Sequence, residues 1–149
     1  MNPLYATALF QAASPPDGWP QVFAIITACN PCGHTADDRL NRKLDARLLA
    51  KLKEQGCWFS RVIGGSPDFF HAEPGFAVVL TLFTALKVGD DFAQEAIFWV
   101  EDDELSVIAC RGNAQQKLGS WRERLARGNA VPRRASCFGT AADGIAPIL

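Results

Sequence analysis

Two loops of the predicted fold hold most of the polar side chains that could bind or transform a ligand. Asn30, His34 and Thr35 follow the first long apolar run, and Ser66, Asp68, His71 and Glu73 follow the second. A histidine near a carboxylate can act as a general base with an orienting partner, which makes Glu73, His71 and Asp68 candidate catalytic residues. A side-chain amide such as Asn30 would orient a ligand through hydrogen bonds. These loops therefore predict a polar site.

A polar pocket of this kind needs further groups from the elements near the two loops. Asn41 lies on the helix that follows the Asn30 loop, and Gln94 ends a second predicted helix beside a later strand. Because buried polar groups need partners, this convergence predicts a pocket that binds or processes a small polar ligand. The alternative is that the same side chains cap helices and close turns, as Asp68 could in a Ser-Pro-Asp turn.

Cys29 and Cys32 form a CxxC motif after a strand and before a helix, which is typical of thiol–disulfide oxidoreductases. A helix N-terminus stabilises a thiolate that lies against it. The best N-cap in this sequence is Thr35, so both thiols precede the helix and gain little from its dipole. The second half of the chain also lacks the paired spacing of structural zinc ligands. Redox catalysis is therefore an alternative hypothesis, and we expect neither a metal nor a cofactor.

The order of the predicted elements indicates an α+β fold. The predicted strands are 22–28, 57–63, 76–82, 95–100 and 105–110, and the predicted helices are 35–55 and 83–94. The apolar stripe of the first helix consists of Leu40, Leu44, Leu48, Leu49 and Leu52. The element order predicts a ferredoxin-like, split βαβ sandwich of two layers. Its mixed, mostly antiparallel sheet of about five strands would carry helices mainly on one face.

The two ends of the chain are predicted to lie outside this core. Residues 3–13 predict a short helix, residues 114–127 predict a terminal helix, and residues 128–149 predict a loose tail. A second functional hypothesis, a non-enzymatic interaction module, would use this basic C-terminal segment or an edge strand of the sheet.

Size and charge narrow the class of protein. The 149 residues fit a single domain, and the net charge of −1 is unevenly distributed. Residues 1–110 carry 8 Lys/Arg and 14 Asp/Glu, whereas residues 111–149 carry 7 Lys/Arg and 2 Asp/Glu. The basic residues are not interleaved with aromatic ones as in single-strand binders, so we expect no nucleic-acid partner. No run approaches the roughly 20 apolar residues of a membrane helix, which indicates a soluble, cytoplasmic protein.

Several short motifs in a fixed order resemble one bacterial family. They are I-T-A-x-N-P-x-G (26–33), Asn41, G-x-S-P-D (64–68), H-x-E-P-G-F (71–76) and F-x-Q-x-A-I-F (92–98). This set, within a core that spans residues 22–110, resembles the family catalogued as domain of unknown function 3293. The family has no assigned activity, so the resemblance supplies relatives and no mechanism.

The resemblance favours some of the candidate functional residues over others. It implies that the characteristic positions of the family are Thr27, Asn30, Asn41, Asp68, Glu73 and Gln94, and His71 also fits its pattern. Cys29 and Cys32 fall on variable positions, which counts against redox and metal chemistry. The ligand-binding candidates are therefore Thr27, Asn30, Asn41 and Gln94.

Overall fold

The computed structural model describes residues 1–133, which contain one β-sheet with helices on both of its faces. The strands are β1 (Leu9–Gln11), β2 (Val22–Thr27), β3 (Phe59–Gly65), β4 (Ala72–Val78), β5 (Ala96–Glu101), β6 (Glu104–Ala109) and β7 (Gln115–Ser120). The helices are α1 (Asp38–Gln55), α2 (Leu82–Asp91) and α3 (Trp121–Asn129), with short 3₁₀ helices at Pro3–Thr7 and Pro31–Gly33. None of the described helices combines the length and the apolar character that crossing a membrane requires.

The sheet has the strand order β1-β3-β4-β2-β5-β6-β7, and every neighbouring pair is antiparallel. The predicted two-layer, ferredoxin-like sandwich with a mixed sheet of about five strands is therefore wrong. Residues 1–133 instead form a curled, half-barrel sheet of seven strands with three α-helices. The prediction missed β1 and β7, which extend the sheet at its two edges.

The sheet is covered on both faces because its central strand is apolar on both faces. In β2, Phe23 and Ile25 face one core, whereas Ala24 and Ile26 face the other. Residues of α1 and α2 complete the second core, and Trp121 of α3 fills the first. Of the described α-helices, α1 and α2 therefore lie on one face of the sheet, and α3 lies on the other.

The N-terminal segment folds as a 3₁₀ helix followed by a strand, and the predicted helix over residues 3–13 is wrong. β1 pairs with the end of β3, where Phe10 lies opposite Gly64. The outer side of β1 is bound by the C-terminal end of α3, because Gln11 Nε2 donates to the carbonyl oxygens of Gly128 and Val131 at 3.1 and 3.0 Å. The edge of the sheet at β1 is thus covered.

The predicted helix over residues 114–127 is half wrong. Its first part is β7, and α3 begins only after Ser120, whose hydroxyl accepts a hydrogen bond from the N–H of Glu123 at 3.1 Å. α3 continues to Asn129, so residues 128 and 129 of the predicted loose tail are helical. Residues 134–149 of that tail lie outside the described residues.

The leucine-striped helix is confirmed as α1, which buries Leu48 and Leu52. Its N-cap is Asp37 and not Thr35, since Asp37 Oδ1 accepts from the N–H of Leu40 at 2.8 Å. Gly56 ends the helix in the left-handed conformation at φ 66°, which glycine adopts without strain.

Antiparallel pairing brings the end of β2 beside the starts of two other strands. Thr27 at the end of β2 lies opposite Gly75 of β4. On its other side β2 pairs with β5, with Ile25 opposite Phe98, so the start of β5 lies at the same end of the sheet. The loop after β2 and the residues that begin β4 and β5 therefore meet there.

Candidate functional site

Asn30 lies at the centre of a hydrogen-bonded cluster at this end of the sheet. Its backbone is left-handed, at φ 51° and ψ 60°, a conformation that asparagine tolerates better than most residues. Its Oδ1 accepts from the N–H of Ala36 at 2.9 Å and from Nδ2 of Asn41 at 3.0 Å. Its own N–H donates to Asn41 Oδ1 at 2.9 Å. The side chain of Asn30 is thus held in one orientation.

Glu73 receives the remaining hydrogen bond of the Asn30 amide. Asn30 Nδ2 donates to Glu73 Oε1 at 2.7 Å, across 43 residues of sequence. Burial raises the pKa of the Glu73 carboxyl above its ordinary value, and the hydrogen bond from Asn30 opposes that rise. Among residues 1–133, no donor lies within hydrogen-bond distance of Glu73 Oε2. The carboxylate is therefore oriented on one side and open on the other.

Thr27 joins β2 to β4 beside this cluster. Its hydroxyl donates to the carbonyl oxygen of Pro74 at 2.8 Å and accepts from the N–H of Cys29 at 3.1 Å. The Thr27 hydroxyl therefore both donates and accepts a hydrogen bond, and these bonds hold the Asn30 loop against the start of β4. The structure places it behind the site, where it supports the loop.

Gln94 lies on the other side of the same loop. Its Nε2 donates to the carbonyl oxygens of Cys29 and Phe92 at 3.0 and 3.2 Å, which turns Oε1 away from both. Gln94 lines an open cavity of about 300 Å³. The other residues that line this cavity are Met1, Glu95, Ala109, Arg111 and Ala114. Asn30 and Glu73 do not line it, so the polar cluster adjoins the cavity and lies outside it.

Tyr5 is a member of this region that the sequence analysis missed. Burial raises the pKa of its phenol to about 12, and the negative charges of Glu95 and then Glu73 add to the rise. Its ring packs edge-on against Phe98 of β5, with 5.8 Å between ring centroids. The N-terminal 3₁₀ helix therefore places the protonated phenol of Tyr5 within electrostatic range of the Glu95 and Glu73 carboxylates. Nothing marked Tyr5 in the sequence except that it is the only tyrosine.

Asp68 and His71 do not join the cluster. Asp68 Oδ1 accepts from the hydroxyl of Ser66 at 2.8 Å and from the N–H of Phe70 at 2.9 Å, within the turn between β3 and β4. His71 is exposed, and its ring lies edge-on to Phe70 at 5.1 Å. These contacts match the alternative of turn closure. His34 and Thr35 are likewise exposed in the loop before α1.

The two cysteines of the CxxC motif occupy different environments. Cys29 is buried, with its Sγ 3.8 Å from the carbonyl oxygen of Pro74, whereas Cys32 is exposed in the left-handed conformation. Cys32 is a free thiol, and α1 begins only at Asp38. Within residues 1–133, no group of three or more His, Cys, Asp or Glu side chains is arranged to hold a metal ion.

A buried ion pair beside the cluster was also missed by the sequence analysis. Arg61 of β3 and Asp45 of α1 form two parallel hydrogen bonds of 2.6 and 2.8 Å, and both side chains are buried. The guanidinium also lies 4.1 Å from the centroid of the Phe76 ring. Asp45 follows Asn41 by one helical turn on the buried face of α1, and this pattern is the signal that could have predicted it.

Comparison with known proteins agrees with the motif resemblance. Residues 26–97 match the family described as "Protein of unknown function (DUF3293)". The chain resembles this family. The matched residues include Thr27, Asn30, Asn41, Glu73 and Gln94, whereas Tyr5 lies outside the match. Searches among curated proteins and among solved structures returned no match.

Proposed function

We propose that the protein binds a small polar ligand at the end of the sheet where β2, β4 and β5 meet. The observation that carries the proposal is the hydrogen bonding of the two Glu73 carboxylate oxygens. One carboxylate oxygen is fixed by Asn30 at 2.7 Å, and the other has no donor among the described residues. Desolvation disfavours the charged form of this half-buried carboxylate, and a ligand that donates a hydrogen bond to the open oxygen would offset that cost.

The directions of two side-chain amides support a ligand that carries hydrogen-bond donors. Asn30 directs its NH₂ group to Glu73, and Gln94 directs its NH₂ group to two backbone carbonyls. Glu73 Oε2 and Gln94 Oε1 are consequently left as acceptors. A ligand with N–H or O–H groups, such as an amine, an amide or a polyol, complements them.

The same geometry suits proton transfer if the ligand is transformed. A carboxyl group whose pKa is raised by burial lies closer to neutrality than an exposed one, which improves it as a general acid or base. Glu73 would be that group, and Asn30 would hold it in place. Tyr5, whose pKa is about 12, would remain protonated and could donate a hydrogen bond.

A thermal-shift screen tests the proposal with the full chain. The panel contains small amines, amides, ureas and polyols, each paired with an analogue that lacks the N–H or O–H groups. We expect at least one donor-bearing compound to raise the Tm of the unmodified protein, because ligand binding stabilises the folded state. Glu73→Gln should abolish that shift, since it replaces the open acceptor oxygen by a donor NH₂ group.

Asp68→Asn is the matched control, because it makes the same acid-to-amide change in the turn between β3 and β4. It should retain the full ligand-induced shift. A compound that stabilises Glu73→Gln as much as the unmodified protein would contradict binding at Glu73. A panel without any hit at millimolar concentration would count against the proposed ligand class.

A further inference from the structure

Asn41 is buried on α1 and contacts Asn30 with both ends of its side-chain amide. Its Oδ1 accepts from the N–H of Asn30 at 2.9 Å, and its Nδ2 donates to Asn30 Oδ1 at 3.0 Å. A longer contact of 3.4 Å joins Nδ2 to the carbonyl oxygen of Ala36. Asn41 is only 6% exposed and has no hydrogen bond to Glu73, so its hydrogen bonds connect to that carboxylate through Asn30.

These contacts permit one direction of the Asn30 amide and oppose the other. In the observed direction, Asn30 Oδ1 faces two donors, the N–H of Ala36 and Nδ2 of Asn41. A flipped amide would place its NH₂ group against both donors and its oxygen against the Glu73 carboxylate. Every contact of the flipped amide would then be repulsive.

We infer that Asn41 is a positioning residue that fixes the direction of the Asn30 amide, so that Asn30 donates its hydrogen bond to Glu73. The inference rests on the proposed function for the claim that Glu73 meets the ligand. The relay, by which we mean the hydrogen bonds from Asn41 to Asn30 and from Asn30 to Glu73, is a property of the ligand-free protein. Asn41 thus acts on the binding carboxylate from behind the loop, without touching the ligand.

The relay controls how tightly Glu73 holds its proton. The hydrogen bond from Asn30 stabilises the ionised carboxylate and so opposes the effect of burial. The Tyr5 phenol, on the N-terminal 3₁₀ helix, also lies within the electrostatic influence of Glu73. The guanidinium of Arg61, on the neighbouring strand β3, is paired with Asp45 of α1. A change at Asn41 that misdirects the Asn30 amide must therefore raise the pKa of Glu73.

Carboxyl-detected NMR titration of Glu73 in the ligand-free full chain measures this effect. Asn41→Ala removes both contacts to Asn30. Asn41→Asp keeps an acceptor for the N–H of Asn30 but places a carboxylate oxygen against Asn30 Oδ1, which favours the flipped amide. We expect both substitutions to move the titration midpoint of Glu73 to higher pH, with the larger shift for Asn41→Asp.

Two controls separate positioning from other effects. Asn41→Asp in an Asn30→Ala background measures the direct effect of the added charge, because no amide remains to be turned. Leu44→Ala, on the same helix and without a hydrogen bond to the loop, measures the effect of a loosened α1. It should lower Tm and leave the Glu73 midpoint unchanged.

The expected result is a shift that depends on Asn30. The midpoint should move clearly in the otherwise unmodified protein and much less in the Asn30→Ala background. Equal shifts in both backgrounds would overturn the inference, because Asn41→Asp would then act by charge alone. An unchanged midpoint in Asn41→Ala would overturn it too, and this neutral variant decides the question if Asn41→Asp does not fold. Since no ligand is present, these outcomes are independent of the thermal-shift screen.

Discussion

At the scale of single residues, the site consists of side chains whose orientations are set by their neighbours. Asn30 is held by Ala36 and Asn41, and it holds Glu73 in turn. Gln94 is held by the carbonyl of Cys29, the residue before Asn30. Such preorganisation reduces the ordering cost when a ligand binds.

The single tyrosine offers a direct probe of the charges around the site. Burial and the carboxylates of Glu95 and Glu73 hold the pKa of Tyr5 at about 12, above its ordinary value of 10.0. Ultraviolet absorbance of the tyrosinate should therefore show a midpoint near that value. Glu95→Gln should lower the midpoint, and Glu73→Gln should lower it by less, because Glu95 contributes more than Glu73.

Asp68→Asn is the control in this titration, because its carboxylate does not contribute to the pKa of Tyr5. Circular dichroism at each pH verifies that the protein is still folded. A midpoint near 10 in the folded protein would place the phenol in solvent, away from both carboxylates.

Part of the site was predictable from residue types, and part depended on pairing that residue types do not encode. Asn30, Asn41 and Glu73 were singled out in the sequence and meet in the structure, because antiparallel pairing of β2 and β4 brings them together. Asp68 was singled out on the same grounds. Its carboxylate nevertheless accepts hydrogen bonds within its own turn, from the Ser66 hydroxyl and from the N–H of Phe70. Polar type alone did not distinguish these two outcomes.

At the scale of elements, the packing of α3 against β1 depends on a residue without a side chain. A Cβ atom added at Gly128 would overlap with the backbone of Phe10. Gly128→Ala should therefore force α3 away from β1 and lower the free energy of unfolding by about 3 kcal/mol, the upper end for overpacked sites. Urea denaturation measures the change.

Arg127→Ala is the matched control on the same helix, since Arg127 is exposed. Its free energy of unfolding should remain within about 0.5 kcal/mol of the unmodified value. If Gly128→Ala were equally mild, α3 would not be packed against β1 as described.

The elements that were predicted well are those with a strong periodic pattern. α1 was recognised from leucines at helical spacing, and β2 from a run of apolar and β-branched residues. β4 begins four residues earlier than predicted, at Ala72, because Pro74 argued against a strand. Pro74 is tolerated since it precedes the first pair of the β2–β4 ladder, Thr27 with Gly75. β7 was mistaken for helix because Leu118, Trp121 and Leu125 have helical spacing across its boundary with α3.

At the scale of the whole molecule, the sheet separates two apolar cores and brings polar groups together at one end. The core on the α3 side contains an aromatic cluster of Phe10, Phe23 and Trp121. The core on the other side is formed mainly by aliphatic residues of α1, α2 and the sheet. Glu73 belongs to neither core and lies at the end of the sheet. The effect of a Glu73 substitution on the free energy of unfolding therefore distinguishes a structural role of Glu73 from a role in ligand binding.

The direction of the pH effect follows from the raised pKa of Glu73. The folded state holds this proton more tightly than the unfolded chain, whose carboxyl titrates near its ordinary value of 4.5. The contribution of Glu73 to stability is consequently most favourable below that value and is lost as pH rises through the folded-state pKa. Glu73→Gln cannot titrate, yet it keeps the oxygen that accepts from Asn30.

The most direct measurement is the free energy of unfolding of the unmodified protein and of Glu73→Gln, compared from acidic to neutral pH. A carboxylate retained for ligand binding predicts that Glu73→Gln is at least as stable at neutral pH, and that its advantage disappears when Glu73 becomes protonated. A loss of several kcal/mol in Glu73→Gln at neutral pH would contradict the account, because Glu73 would then be part of the structural framework.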